Sequence, residues 1–357
     1  MIYFDSAATS FQKPVAVPAA VVRAMQTCAS VGRGGHAAAM AAELFDAEPE
    51  QVVFTMNATH GLNTAIFSLL SPGARVVVSG FEHNAVTRPL RALHADIRVA
   101  GKTLFDTDDT VRAFERALAE KPDAVICTHV SNVFGYILPV ERIAALCRER
   151  GVPFILDASQ SAGSLPVSLR QTGAAFIAMP GHKGLYGPQG TGILLCADGG
   201  RPLLFGGTGS RSMEQEMPDF LPDRLEAGTH NVCGIAGLTE GMRFVRKQTP
   251  EAILRHEQAL LRQVLQELSG QKNIRLYTGE GQAGVLSFSV EGVDCEEAAQ
   301  ALAQEGIAVR AGLHCAPLAH SSAGTVESGT VRLSFSAFNT PREATRFAAV
   351  CKKLFPI

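Results

Sequence analysis

The sequence predicts an α/β protein: a large domain built on a mostly parallel, doubly wound sheet, joined to a smaller α+β domain. Three observations carry that prediction. From about residue 50, short apolar runs alternate with helical stretches. The runs, such as AVICTHV and PFILDAS, are continuously apolar rather than alternating with polar residues. Beyond Asn273 the order changes to strand, strand, helix, strand, strand, helix. A strand covered by helices on both faces has no solvent-facing side, which accounts for the continuous runs. The 357 residues also exceed the ~250–300 that one hydrophobic core usually serves, so two domains are expected.

Taken in order, strands are expected over residues 51–55, 74–80, 97–101, 124–130, 153–158 and 174–179, with helices over 58–70, 110–120 and 140–150 between them. The stretch 191–207 reads as two more strands, TGILLCA and PLLFGG, followed by a Gly-rich polar loop, GGTGSRSMEQEMPD. Two long helices are expected over about 233–247 and 250–268. The last part supplies IRLYTG and GVLSFSVEG as strands, DCEEAAQALAQEG as a helix, IAVRAG and TVRLSFSAF as strands, and PREATRFAAVCKKLF as the closing helix.

Composition narrows the function classes. An apolar fraction of 46% with 18% charged residues excludes a disordered chain. Thirty-two Lys and Arg against 34 Asp and Glu leave a net charge of −2, which gives no electrostatic footprint for nucleic acid or for an anionic membrane surface. No apolar run approaches the ~20 residues of a membrane span. The first residues, MIYFDSAATS, lack the basic-then-apolar pattern of an export signal. Eight cysteines without a CxxC pair do not make a secreted disulfide framework. A cytoplasmic, soluble protein with reduced thiols is expected.

In doubly wound sheets, ligands sit outside the carboxyl ends of the strands. Asp157 ends the run PFILDASQ, where it is either a helix cap or the partner of a buried cation. Lys183 follows the next apolar run, in AFIAMPGHKGLYGPQGTG; alone it would be a solvated charge. As a pair on two candidate neighbouring strands, they suit pyridoxal phosphate, which needs a lysine for a Schiff base and an acid for its pyridinium nitrogen. The segment 55–59, TMNAT, joins a strand to a helix, and the free N–H groups there suit a phosphate, although such residues are also ordinary caps. GxxxxGK[ST] is absent, as is GxGxxG opening a helix after a strand, so nucleotide binding is disfavoured. Cys315, in GIAVRAGLHCAPLAH, follows a strand in a Gly- and Pro-containing loop beside His314, where a thiol can ionise and attack. The other seven cysteines lie in helix-like or strand-like runs and read as packing residues. His314, Cys315 and His320 as zinc ligands would lack a fourth ligand at the usual spacing.

FEHNAV, SNVFG, DASQ, GHKGLYGPQGTG, LEAGTHN and AGLHCAPL occur in that order, between YFDSAAT at the start and VRLSFSAFNT near the end. With these motifs the chain resembles the class V aminotransferase family of fold-type I pyridoxal phosphate enzymes, and within it the cysteine desulfurase and selenocysteine lyase group. The resemblance implies conversion of L-cysteine to L-alanine with the sulfur left on Cys315 as a persulfide, or the equivalent release of selenium from selenocysteine. It implies Lys183 as the Schiff-base lysine, Asp157 as the pyridinium partner and Gln160 as the residue bonded to the cofactor's phenolic oxygen. His83 would stack on the cofactor ring, and Thr59 and His182 would hold its phosphate. Gly228 and Thr229 would reach the phosphate of a neighbouring subunit, which implies a homodimer. Asn132 and Arg332 would surround the substrate carboxylate, and Cys315 would be the nucleophile. A sulfur-acceptor protein is a further implied partner.

For such a protein the large domain is placed at 14–249, and the small one at 1–13 together with 250–357. The link RAGLHCA is short, as in group II desulfurases. Ser6 stands where the family usually has Asn, Phe134 where it has Thr, and Pro180 where many members have a phosphate-contacting Ser. About a dozen residues, roughly three helical turns, are missing after GRGGH, so Arg33 and His36 receive no role. The competing expectations are transamination of the alanine–glyoxylate type, which needs no thiol, and a pyridoxal phosphate-binding protein without turnover.

Overall fold

The computed structural model describes residues 1–27 and 35–357; Cys28 and Arg33 lie outside the described residues. In chain order the first part runs β1 (Ile2–Tyr3), α1 (Ala16–Gln26), α2 (Gly35–Phe45), β2 (Val52–Thr55), α3 (Ala58–Leu69), β3 (Arg75–Ser79) and α4 (Asn84–Ala92). It continues with β4 (Asp96–Ala100), α5 (Thr107–Leu118), β5 (Ala124–Thr128), α6 (Val140–Glu149), β6 (Phe154–Asp157), α7 (Leu169–Thr172), β7 (Phe176–Pro180) and β8 (Gly192–Cys196). Among the described residues, seven of these strands pair in the order β2-β8-β7-β6-β5-β3-β4. β8 runs antiparallel to both neighbours, and the other pairings are parallel. Every residue of β5 and β6 is buried, because one apolar cluster fills each face of this sheet. The expected α/β architecture is therefore present.

Local chemistry moved several boundaries. α5 begins three residues before the expected start because the Asp106 carboxylate accepts from the backbone N–H of Asp109 at 2.8 Å and caps the helix. α4 was not foreseen. It contains Pro89, and its cap is a histidine: His83 Nδ1 accepts from Ala85 N at 3.0 Å. The segment PLLFGG, expected as a strand, is an irregular surface loop instead. Pro202 has no N–H to give to a ladder, and Leu204 and Phe205 are exposed rather than packed.

The second part runs α8 (Val232–Gln248), α9 (Pro250–Leu268), β9 (Ile274–Tyr277), β10 (Val285–Val290), α10 (Cys295–Gln304), β11 (Ile307–Ala308), β12 (Arg310–Gly312), α11 (Pro317–Ala323), β13 (Thr330–Ser334) and α12 (Pro341–Leu354). An antiparallel sheet orders β12-β13-β10-β9, and β1 pairs in parallel with β11, placing Ile2 opposite Ile307. Phe4 is buried in one cluster with Phe288, Leu333 and Phe347, so the first residues pack with elements near the end of the chain. α11 is one short helix more than expected, opened by Pro317 and closed by Gly324 in the left-handed conformation. Among the described residues no helix is long and apolar enough to cross a membrane.

Candidate active site

β6 and β7 are neighbours in parallel register, with Asp157 opposite Ala178, so the two groups picked out by the sequence leave the sheet side by side. Asp157 is 2% exposed; its Oδ1 accepts from Ser159 N at 2.9 Å, and its carbonyl accepts from His129 N at 2.9 Å. Beyond β7 the chain turns tightly through Gly181–Lys183, with Gly187 N donating to Gly181 O at 2.7 Å. Gly184 is required here: a Cβ on it would lie 2.4 Å from the Ala162 carbonyl oxygen, and one on Gly163 would lie 2.1 Å from the Gly184 carbonyl oxygen, so two backbones touch without side chains between them. Lys183 is partly buried, and desolvation pushes its amine down to about 8; the Asp157 charge opposes that shift and the Arg332 charge adds to it.

His83 accepts through Nδ1, which leaves its ring proton on Nε2 when neutral. Burial lowers its pKa, against the opposing pull of Asp157. The His182 ring meets Thr9 Oγ1 through Nδ1 at 3.0 Å, and burial pushes it down to about 4, so it is neutral at physiological pH. Gln160 donates through Nε2 to Ala7 O at 2.9 Å. Thr59 is exposed on the first turn of α3, whose cap is Asn57, accepting from His60 N at 2.9 Å. These residues bring an acid, an amine, a neutral imidazole and a helix N-terminus to one end of the sheet.

A second group comes from the C-terminal part. Arg332, in β13 and 2% exposed, donates from Nη2 to Asp5 Oδ1 at 2.6 Å and from Nη1 to the Asn132 carbonyl at 2.9 Å. Its Nε is buried without a hydrogen-bond partner among the described residues. A buried guanidinium that keeps an unused donor is suited to an anionic ligand such as a carboxylate. Asn132 donates from Nδ2 to the His314 carbonyl at 2.8 Å, and Asn84 N donates to the Cys315 carbonyl at 2.8 Å. The loop carrying Cys315 is thus tied to the large sheet on both sides of that residue. Cys315 is exposed, whereas Cys127, Cys147, Cys196 and Cys351 are buried and Cys233 and Cys295 partly so. The packing expectation is met fully by four cysteines and in part by two.

Gly228 and Thr229 are not brought to this group. Both are exposed and line a separate cavity of about 1040 Å³ between α1, α2 and α8, together with His36 and Arg243. His36 Nε2 and Arg243 Nη2 are 3.1 Å apart there.

Sequence reasoning missed Asp5 and Glu82, and weighed His320 only as a zinc ligand. Asp5 links Arg332 to Arg310, whose Nε lies 3.1 Å from Asp5 Oδ2. Glu82, fully buried, accepts from Ser79 Oγ and from Thr128 N; desolvation pushes its carboxyl up to about 8, with the Asp157 charge adding to the rise. His320 is fully buried behind Cys315. The available signal was an ionisable residue inside an otherwise apolar or motif-bearing segment, as in YFDSAAT, FEHNAV and CAPLAH.

The residues present fit the expected cofactor: Asp157 for a pyridinium nitrogen, a lysine of depressed basicity for an aldehyde, and an imidazole for the ring face. Comparison with known proteins points the same way. A family model described as aminotransferase class-V matches residues 2–347. A probable cysteine desulfurase of Methanothermobacter thermautotrophicus is 32% identical over 374 residues, covering 96% of this chain and 92% of the relative. Probable cysteine desulfurase 1 of Mycobacterium leprae is 31% identical over 386 residues, covering 99% of this chain, which spans 62% of that protein's length. Among solved structures, the apo cysteine desulfurase from Thermococcus onnurineus NA1 is similar with a TM-score of 0.90 at 29% identity, over 99% of this chain and 94% of that one.

Proposed function

The chain belongs to the class V aminotransferase family, and from that premise we propose that it is a pyridoxal phosphate-dependent cysteine desulfurase, with selenocysteine as a second substrate. The observation that carries this reading is Cys315, the exposed cysteine among the described residues, tied by Asn84 and Asn132 beside buried Arg332. Transamination has no use for such a thiol.

Bound at the strand ends, the cofactor supplies an electron sink for charge developing at the substrate Cα. Arg332, through its unused N–H groups, holds the substrate carboxylate, while Asp5 holds Arg332. Lys183, with an amine pKa lowered to about 8, keeps an appreciable neutral fraction near neutral pH and accepts the Cα proton. The Cys315 thiolate attacks the substrate sulfur. An S–S bond forms as the Cβ–S bond breaks, the electron pair passes to the substrate carbon skeleton, and a proton delivered to Cβ, with the proton held by Lys183 returned to Cα, completes L-alanine. The Cys315 sulfur is oxidised to a persulfide and Cβ is reduced, so no outside oxidant is required.

Gly228 and Thr229 serve the site of a second copy in a homodimer. Their distance from the Lys183 group supports this, as do exposed apolar side chains on α1 and in the loop before Gly228, including Val22, Met25, Phe205 and Met213. The persulfide is passed to an acceptor protein, and a reducing compartment such as the cytoplasm keeps Cys315 available as a thiol.

The test is Cys315→Ala in the purified, cofactor-loaded protein. The variant is expected to retain the cofactor's visible absorbance and to lose at least about 99% of alanine and sulfide formation from L-cysteine. Undiminished product formation would sink the reading.

A further inference from the structure

Behind Cys315 lies a chain of polar groups that the reaction as described does not use. His320 Nδ1 is 2.8 Å from Thr325 Oγ1, His320 Nε2 is 3.4 Å from His314 Nδ1, and His314 Nε2 is 3.3 Å from the Arg310 carbonyl oxygen. The two imidazole planes are 12° apart with centroids 5.6 Å apart, so at that nitrogen separation the rings meet edge to edge rather than face to face. His320 is fully buried and His314 is 9% exposed.

The end of this chain fixes its direction. A carbonyl oxygen only accepts, so His314 Nε2 carries a proton and donates. Neutral His314 then has a bare Nδ1, which must accept, so His320 donates from Nε2. That leaves His320 Nδ1 bare, and the Thr325 hydroxyl donates to it. One arrangement satisfies all three contacts with both rings neutral. Burial keeps them so, pushing His314 down to about 3 and His320 to about 4; the Arg332 charge adds to the fall at His314, while backbone hydrogen bonding at Arg310 for His314 and at Thr325 for His320 opposes it.

This chain ends at an unusual piece of backbone. His314 and Cys315 are adjacent non-glycine residues with φ of 51° and 55°, in the left-handed region that side chains disfavour. Such backbone persists only where its surroundings fix it, and here it lies at the proposed nucleophile. Asn132 and the Asn84 N–H hold the two carbonyls, while the His314 ring is engaged by His320 and by the Arg310 carbonyl.

We propose that Thr325, His320 and His314 form a one-way hydrogen-bonded brace that sets the left-handed turn presenting Cys315, making all three positioning residues for sulfur transfer. The inference rests on the reading of Cys315 as nucleophile. The brace aims the thiol in advance, so its loss misplaces the thiol without touching the groups that hold substrate.

The experiment compares the cofactor-loaded wild type with Thr325→Val, which keeps the shape and removes the hydroxyl, Thr325→Ser, which restores it, and His320→Phe, which keeps a ring and removes both nitrogens. kcat and KM for L-cysteine are measured together with the rate at which iodoacetamide alkylates Cys315, followed on its peptide by mass spectrometry. Thr325→Val and His320→Phe are expected to lower kcat about ten- to a hundredfold with KM within about twofold. They should also change the alkylation rate by about threefold or more, and Thr325→Ser should stay near wild type on both counts. Wild-type kcat and alkylation in Thr325→Val would overturn the brace, as would equal losses in the Ser and Val variants. If His320→Phe does not load cofactor, the Val and Ser pair decides alone. Cys315→Ala is assayed alongside: retained activity there overturns the desulfurase reading itself, whereas an inactive Cys315→Ala with an unaffected Thr325→Val overturns only the brace.

Discussion

Asp5 shows how a single side chain decides what a cationic group is free to do. Arg332 is buried, and Asp5 is the carboxylate that keeps its charge tolerable there, bonded at 2.6 Å. Removing one member of a buried ion pair typically costs about 3–5 kcal/mol because the other charge is left without compensation. Asp5→Ala is therefore expected to destabilise the protein by about 3 kcal/mol in denaturant melts and to raise KM for L-cysteine about tenfold or more. An unchanged KM would mean that Arg332 does not orient substrate. Asp157, Lys183 and Cys315 were legible in the sequence because the chemistry demands those residue types at strand ends. Asp5, Glu82 and His320 were not, because their importance comes from burial and partners: Asp5 meets its guanidinium 327 residues away.

At the scale of elements, apolar runs and caps carried most of the information. β5 and β6 were readable because every position is buried, and α9 because its apolar residues recur at helical spacing with Pro250 at its start. α4 and α11 were not, since their boundaries depend on a histidine cap in one and on Pro317 and a left-handed Gly324 in the other. α9 also holds Glu257, which is buried against Gly284: a Cβ on Gly284 would lie 2.5 Å from Glu257 Cβ. Desolvation pushes the Glu257 carboxyl up to about 8. Between its ordinary value and that one, the folded state keeps a proton that the unfolded chain has lost. Its stabilising contribution is thus complete in acid and is lost as pH rises through about 8. Glu257→Gln should be more stable than wild type at pH 7 by on the order of 2 kcal/mol, with little advantage near pH 4. Glu82 contributes a slope of the same sign, so the variant flattens the pH profile only in part. A wild type as stable at pH 7.5 as at pH 5, by urea denaturation, would contradict the assignment.

For the whole molecule, we propose that residues 14–249 form one domain and residues 1–13 with 250–357 the other, a division supported by Phe4 lying in the cluster of β10, β13 and α12. The proposed exchange of Gly228 and Thr229 between subunits has a direct test in mixing. Lys183→Ala lacks the amine, and Thr229→Trp would obstruct the neighbour's phosphate site, so each alone should be inactive. Dissociated and reassociated in equal amounts, they should recover about a quarter of wild-type activity, because half of the random dimers carry one intact site. No recovery, with mixed dimers demonstrated by mass, would place Thr229 with its own Lys183 instead.

The pairing of β1 with β11, together with the Asp5–Arg332 bond, also sets a timetable for biosynthesis. Ile2 and Asp5 cannot find their partners until more than 300 further residues have been made, which at about 5–20 residues per second is roughly 15 to 65 s. During that interval the central sheet can form while the N-terminal segment stays unattached. The pocket around Lys183 is then completed only when β13 has emerged, so a nascent chain stalled before Arg332 should hold most of the sheet yet show no affinity for substrate.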